Sequence, residues 1–291
     1  MTIRETIKKG MINLKTNGIE EPNLKARLLM QFILNKPRQY LLIYDNQTLS
    51  LRQEVNYFKA IKKIISGVPL QHITHMQEFM KMNFYVDENV LIPRSDTEIL
   101  VEEVINISKK INAKKILDLC TGSGAIAISL AKYIENSEIT AVDISKKALE
   151  IARTNAKNND VENQITFVES DLFKNLKEDK YDVIVSNPPY IPKKDIETLH
   201  TQVKDYEPYN ALEGGEDGLD FYRQITKESI DYLKQGGILA YEVGHDQAED
   251  VSEIMKSYGY TKIYKKKDIQ GIDRVVIGFK LWYNQRIDID K

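Results

Sequence analysis

The sequence predicts an α/β chain. A mostly parallel sheet covered by helices closes on an antiparallel last strand, behind a small helical domain and a β-hairpin linker. Three observations carry this. From residue 96 onward, short β-branched runs alternate with segments of helical period, as parallel sheets with crossover helices require. The first 65 residues show helical spacing and few strand signals. The last two strand-like runs are joined by a short loop through Gly271, which only an antiparallel pair permits. The expected boundaries are 1–68 for the helical domain, 69–93 for the linker and 94–291 for the α/β domain.

In the front domain, Ile3, Ile7, Met11 and Leu14 fall on one helical face. Leu24, Leu28 and Ile33, then Val55, Phe58, Ile61, Ile64 and Ile65, continue the pattern, punctuated by Pro22 and Pro37. Gly67-Val68-Pro69 breaks the bundle. Phe79, Met80, Met82, Phe84, Tyr85 and Val86, followed by Val90-Leu91-Ile92, read as short strands that stop at Pro93. Helices are then expected over 99–107, 125–134, 147–158, 221–233 and 251–258. Strands are expected over 115–119, 138–143, 165–168, 181–186, 237–243, 262–267 and 274–279. Trp282 is expected to pack rather than to bind.

Of the 291 residues, 42% are hydrophobic and 29% charged, a soluble globular balance. No apolar run approaches the roughly 18 residues of a membrane span. The first residues, MTIRETIKKGMINL, lack the apolar core of a signal peptide. One cysteine, Cys120, forbids an internal disulfide, so a cytoplasmic location is expected. Four histidines and one cysteine show no metal-ligand spacing, and no metal is expected. Charge is uneven. Residues 1–75 hold 12 lysines and arginines against 5 aspartates and glutamates, a net +7. The rest holds 29 against 38, a net −9, within a total of −2. A basic front domain suits an acidic protein or a nucleic acid, or is simply a solvated helical surface.

Asp118-Leu119-Cys120-Thr121-Gly122-Ser123-Gly124 lies between the first strand of the α/β domain and its helix. In an open parallel sheet, ligands bind beyond the carboxyl ends of the strands. Glycines there let backbone approach a ligand, and a helix N-terminus offers free N–H groups. Asp143, at the end of the next strand, can accept both hydroxyls of a ribose. Asp171 follows the third strand and can meet an adenine edge, with Leu172 on the ring. A tight turn alone would also use two glycines. The loop by itself fits either a dinucleotide or S-adenosylmethionine.

The stretch Asn187-Pro188-Pro189-Tyr190 leaves a buried strand at the same sheet edge. Each proline restricts the residue before it to extended geometry, so this corner is stiff. A rigid turn ending the strand is the plain reading. The chemical one is more specific. The Asn187 side-chain oxygen and the Pro188 carbonyl are two acceptors suited to one planar NH2, and Tyr190 adds an aromatic face. Two acceptors on its hydrogens push electron density to a delocalised nitrogen and aim its lone pair at an electrophile. A methyl sulfonium is such an electrophile, and a dehydrogenase has no use for the corner. This selects S-adenosylmethionine, with S-adenosylhomocysteine as product.

LDLCTGSGAIA, AVDIS, ESDLF and VSNPPY together resemble class I S-adenosylmethionine-dependent methyltransferases that modify planar nitrogen, which have a Rossmann-like sheet. GVPLQHITHMQEF, VLIPRSDTE, EPYNALEGGEDGLDFYR and the late DIQGIDR are similar to the release factor glutamine methyltransferase family. That resemblance spans nearly the whole chain. It implies a protein-(glutamine-N5) methyltransferase acting on the Gly-Gly-Gln loop of bacterial peptide chain release factors. It places Asp118, Cys120, Thr121, Gly122, Ser123, Gly124, Asp143, Asp171, Leu172 and Asn187 around the cofactor. Leu91, Arg94, Asn187, Pro188, Pro189 and Tyr190 would meet the glutamine, with Thr97 nearby. The family usually has Gly at Cys120, so this backbone is expected to avoid positive φ there. It often has an aromatic residue at Leu172 and Pro-Glu at Ser95-Asp96. Residues 206–209 are expected to form a mobile lid beside the flexible 213–218 stretch. The alternatives are a nucleic-acid amino-methyltransferase clamped by the basic front domain, and a non-catalytic S-adenosylmethionine-binding protein. The acidic second part argues against a duplex across the site, so nucleic acid is not an expected partner, nor is a membrane, and a monomer is expected.

Overall fold

A computed structural model describes residues 1–177 and 179–281; Trp282 lies outside the described residues. The chain divides into two compact units. The first comprises Met1–Met76 with His200–Tyr206. The second begins at Gln77, runs to Leu199 and resumes at Glu207. Among the described residues, no helix is long and apolar enough to cross a membrane.

The first unit is helical: α1 Ile3–Thr16, α2 Pro22–Leu34, α3 Arg38–Ile43, α4 Leu51–Ile65 and α5 Leu70–Thr74. Thr2 and Ser50 start α1 and α4 with reciprocal capping boxes to Glu5 and Gln53, legible as T-x-x-E and S-x-x-Q. Pro22 occupies the first turn of α2, where its missing N–H costs nothing. Ile3, Ile7, Leu14, Leu29, Met30, Ile61 and Ile64 form the core around Tyr57. The Tyr57 hydroxyl donates to the Ala26 carbonyl at 3.1 Å. Residues 70–74, inside the stretch expected as linker, are helical.

The second unit opens with the hairpin β1 Gln77–Phe79 and β2 Met82–Phe84. Its two turn residues, Met80 and Lys81, both take positive φ, the geometry that a two-residue hairpin demands. Glu98 holds the turn by accepting from the Met80 N–H at 2.5 Å, and the Tyr133 hydroxyl donates to the Met80 carbonyl at 2.8 Å. The strand expected at 90–92 is absent. Val86, Val90 and Ile92 instead pack as an irregular segment on Ala148 and Ile151.

The sheet contains β3 Lys115–Leu119, β4 Glu138–Asp143, β5 Ile165–Glu169, β6 Tyr181–Ser186, β7 Leu233–Glu242, β8 Tyr260–Lys267 and β9 Asp273–Lys280. Their order is β5-β4-β3-β6-β7-β9-β8, with β9 antiparallel to both of its neighbours. The order reverses between β3 and β6, which places a crevice at their carboxyl ends. Alternate residues serve opposite faces. Ile116, Val183 and Val185 meet α6 Ser95–Ile111, α7 Ala125–Tyr133 and α8 Lys146–Asn158. Leu117, Leu119 and Ile184 meet α10 Asp220–Tyr232 and α11 Ala248–Ser257, while α9 is the short Thr201–Lys204 turn. Phe79, Met82 and Phe84 of the hairpin complete the first of these cores.

Candidate functional site

The loop between β3 and α7 is built by its own hydrogen bonds. The Thr121 N–H donates to the Val142 carbonyl and the Gly124 N–H to the Thr121 carbonyl, each at 2.9 Å. Asp118 is fully buried. Its Oδ2 accepts from the Thr121 hydroxyl at 2.6 Å and the Ala127 N–H at 3.1 Å. Asp118, Thr121, Ser123 and Gly124 therefore shape the loop, while Cys120 and Gly122 line the cavity beyond it. Asp118 Oδ1 has no partner, and burial raises the carboxyl to about 7. The Ser123 carbonyl accepts from Asn155 Nδ2 at 2.9 Å, and Asn155 also bonds both backbone groups of Tyr85.

Cys120 has a φ of +60°, contrary to the expectation that a non-glycine residue avoids this region. The cost is about 1–2 kcal/mol. The loop bonds on either side over-determine the turn, so the side chain accepts the strain rather than altering the loop. Leu172 is likewise left-handed, with φ +48°. Burial pushes the Cys120 thiol up, so it is no ready nucleophile.

Gly124 is required for two reasons. Its φ is +82°, and an added Cβ would lie 2.8 Å from Ile128 Cδ1 and 3.1 Å from Ala152 Cβ. Gly124→Ala is expected to destabilise the fold by about 1–3 kcal/mol, read as a lower denaturation midpoint. At Gly122 an added Cβ would meet nothing within 4 Å, so this backbone is open to a ligand.

Asp143 ends β4 facing the same cavity. Oδ2 accepts from the Gly122 N–H at 2.8 Å and Oδ1 from the Ser145 N–H at 2.9 Å. Each oxygen retains acceptor capacity for a ligand hydroxyl. Burial raises this carboxyl from its ordinary value, and the backbone donors oppose that rise. Val142, Ile144, Ala148 and Leu172 give the cavity apolar walls, with Ser170 and Asp171 on its polar side. Asp171 also pairs with Lys174 at 2.5 Å. Apolar walls, a two-oxygen acceptor and an unobstructed glycine fit the adenosyl part of S-adenosylmethionine.

The corner after β6 meets the same cavity through Asn187 and Pro189. Pro188 and Tyr190 do not line it. The Tyr190 carbonyl is held by Gln247 Nε2 at 2.9 Å, and Gln247 Oε1 takes the Gly244 N–H at 3.1 Å. Residues 212–214 brace the exit: the Ile191 N–H donates to the Leu212 carbonyl and the Gly214 N–H to the Ile191 carbonyl, both at 2.9 Å. Only glycine fits at 214, where a Cβ would stand 2.7 Å from the Pro189 oxygen. Burial pushes the Tyr190 phenol up to about 12, which keeps it protonated.

Leu91, expected to meet the glutamine, lines the cavity; Arg94 does not. Arg94 Nη2 donates to both oxygens of buried Glu207 at 2.7 Å. Within the stretch expected as a lid, Glu207 is thus tied to Arg94, while Pro208, with Asn210 and Ala211 just beyond it, walls the cavity. Sequence reasoning also missed Asn89 and Phe221, which line the cavity without any motif to mark them.

Glu242, at the end of β7, was missed as well. It is 4% exposed, and burial raises it to about 7, against the opposing hydrogen bonds of Thr97 and Asn187. Its folded value lies above the unfolded one, so the penalty is absent below pH 4.5 and grows to about 7. Wild type should therefore lose up to roughly 3 kcal/mol relative to Glu242→Gln as pH rises through that window. Melting both proteins across pH 4–8 checks this.

The chain is similar to known proteins. Residues 95–205 match the family described as Methyltransferase small domain, and residues 5–74 match the PrmC N-terminal domain. A release factor glutamine methyltransferase of Clostridium acetobutylicum is 41% identical over 285 residues, covering 96% of this chain and 99% of that one. One from Fusobacterium nucleatum is 41% identical over 275 residues, covering 94% and 77%. A crystal structure of a methyltransferase from Pyrococcus furiosus superposes with a TM-score of 0.52 at 20% identity, covering 76% of this chain and 98% of that one, which supports the fold alone.

Proposed function

The chain belongs to the release factor glutamine methyltransferase family, and we propose that its substrate is the glutamine of the Gly-Gly-Gln loop in bacterial peptide chain release factors. It is an S-adenosylmethionine-dependent protein-(glutamine-N5) methyltransferase. The observation that carries the substrate reading is the rigid corner, whose Asn187 and Pro189 open into the same cavity as Gly122 and Asp143.

Asp143 would accept the ribose hydroxyls, with Gly122 backbone alongside. Leu172, Ile144 and Ala148 would enclose the base, and Asp171 would meet its edge. S-adenosylmethionine, when bound, supplies an electrophilic methyl group on a sulfonium. Asn187 Oδ1 at the cavity and the Pro188 carbonyl beside it, outside the cavity lining, would accept the two hydrogens of the glutamine amide, holding its lone pair toward that methyl. As the N–CH3 bond would form and the S–CH3 bond break, the same acceptors would stabilise the positive charge developing on the nitrogen, which then gives up one proton to solvent, so no strong base is needed beforehand. Tyr190, protonated, would offer an aromatic face rather than a proton acceptor. The enzyme would act as a monomer in the cytoplasm, where release factors work.

The test is peptide mapping of a release factor incubated with the enzyme and S-adenosylmethionine. One methyl on the glutamine of the Gly-Gly-Gln peptide is expected, and none where that glutamine is alanine. A methyl elsewhere on the protein, or none, would overturn the substrate reading.

A further inference from the structure

Gln247 stands immediately before α11 and belongs to none of the motifs above; it does not line the cavity. It is buried, and its amide bonds the backbone of three separate segments. Nε2 donates to the Tyr190 carbonyl at 2.9 Å and to the Gly218 carbonyl at 3.2 Å. Oε1 accepts from the Gly244 N–H at 3.1 Å. Turned over, the amide would set its oxygen against two carbonyls and its NH2 against an N–H, and would make none of these bonds. Its surroundings therefore fix which end points where. There is no spare room around it either: a Cβ added at Gly218 or at Gly244 would stand 2.7 Å from the nearer end of the amide.

The peptide group joining Tyr190 to Ile191 is planar. Gln247 holds its carbonyl, and its N–H, on Ile191, donates to the Leu212 carbonyl at 2.9 Å. Bonds at both edges of one plane fix its orientation, and with it the exit angle of the chain at Tyr190. At the other end of the corner, Ser186 pairs with Leu119 of β3 and Tyr241 of β7. Its hydroxyl donates to the Leu119 carbonyl at 2.8 Å. Between these fastenings lies a span that its two prolines already stiffen. The Leu212 bond runs backbone to backbone, so any residue at 212 would make it. The Gln247 bonds need a side chain with two donors and one acceptor.

We propose that Gln247 is a positioning residue for methyl transfer. By pinning the peptide after Tyr190, it holds the Asn187 amide and the Pro188 carbonyl in register with the substrate nitrogen. This rests on the corner being the cradle of a glutamine NH2. Displacement of such acceptors by a fraction of an ångström slows the chemical step, while Asp143 and Gly122 keep their places around the cofactor.

The experiment is single-turnover methyl transfer to a release factor at saturating S-adenosylmethionine, by wild type, Gln247→Met and Gln247→Glu, beside calorimetric titration of each with the cofactor. Methionine nearly keeps the volume and removes all three bonds, so a residue that merely packs would tolerate it. Glutamate keeps the shape but offers at most one donor where two carbonyls need one each. Both variants should lose about 10- to 100-fold in transfer rate, with cofactor affinity within about threefold of wild type. A role in the fold at large would move both quantities together. A wild-type rate in Gln247→Met, or cofactor affinity falling in step with the rate in both variants, would overturn the inference. If wild type itself leaves the release factor unlabelled, the substrate reading falls and takes this inference with it. A labelled wild type with unaffected variants refutes the inference alone.

Discussion

Asn187→Ala is expected to slow methyl transfer by about 10³-fold while leaving S-adenosylmethionine affinity within about threefold of wild type. Asn187 is the side chain by which the corner's own amide meets the cavity, and Asp143 and Gly122 line that cavity independently of it. Removing Oδ1 leaves one substrate hydrogen without an acceptor in a site shielded from water. It also frees the glutamine to rotate its lone pair away from the methyl. The effect falls on the chemical step rather than on binding the cofactor. Rapid-quench turnover beside calorimetric titration with S-adenosylmethionine separates the two. Near-normal turnover would show that the corner does not activate the nitrogen.

Asp143→Ala should do the reverse. It is expected to weaken S-adenosylmethionine binding by about 100-fold or more, from the loss of two charge-assisted hydrogen bonds. The rate at saturating cofactor should remain within a few-fold of wild type. Besides the proposed ribose contact, the carboxylate oxygens anchor the Gly122 and Ser145 N–H groups at 2.8 and 2.9 Å. Asp143→Asn is predicted to be nearly as damaging. An amide must turn its NH2 toward one of those backbone donors, and two donors then oppose each other. Calorimetry on both variants tests this; tight binding by Asp143→Ala would remove the ribose assignment.

Much of the fold was legible because strand and helix periods differ and alternate cleanly. The strands at 115–119, 138–143 and 181–186 fall where apolar runs place them. The segment at 90–92 misled, since three consecutive apolar residues serve equally well as an irregular wall packed on α8. Within the site, the glycine loop, Asp143 and the corner announce themselves by motif. Asp118 was legible as part of the motif, but its burial and its bonds to Thr121 and Ala127 were not. Cys120 was misjudged because a propensity rule for φ is local, whereas the turn is fixed by hydrogen bonds to a neighbouring strand. Glu242 and Glu207 stayed hidden for a common reason. A lone glutamate gives no sign of being buried, and its partners, Asn187 and Arg94, are 55 and 113 residues away. Only the sheet order brings the ends of β6 and β7 together.

The most direct measurement is the partition of tritiated methyl from S-adenosylmethionine among three acceptors offered together: a release factor, its loop Gln→Ala variant, and mixed DNA and RNA. Label on the intact release factor, with none on the variant or the nucleic acid, is the predicted result. Label on nucleic acid with the release factor untouched would contradict the account, moving the substrate from a glutamine amide to a base amino group.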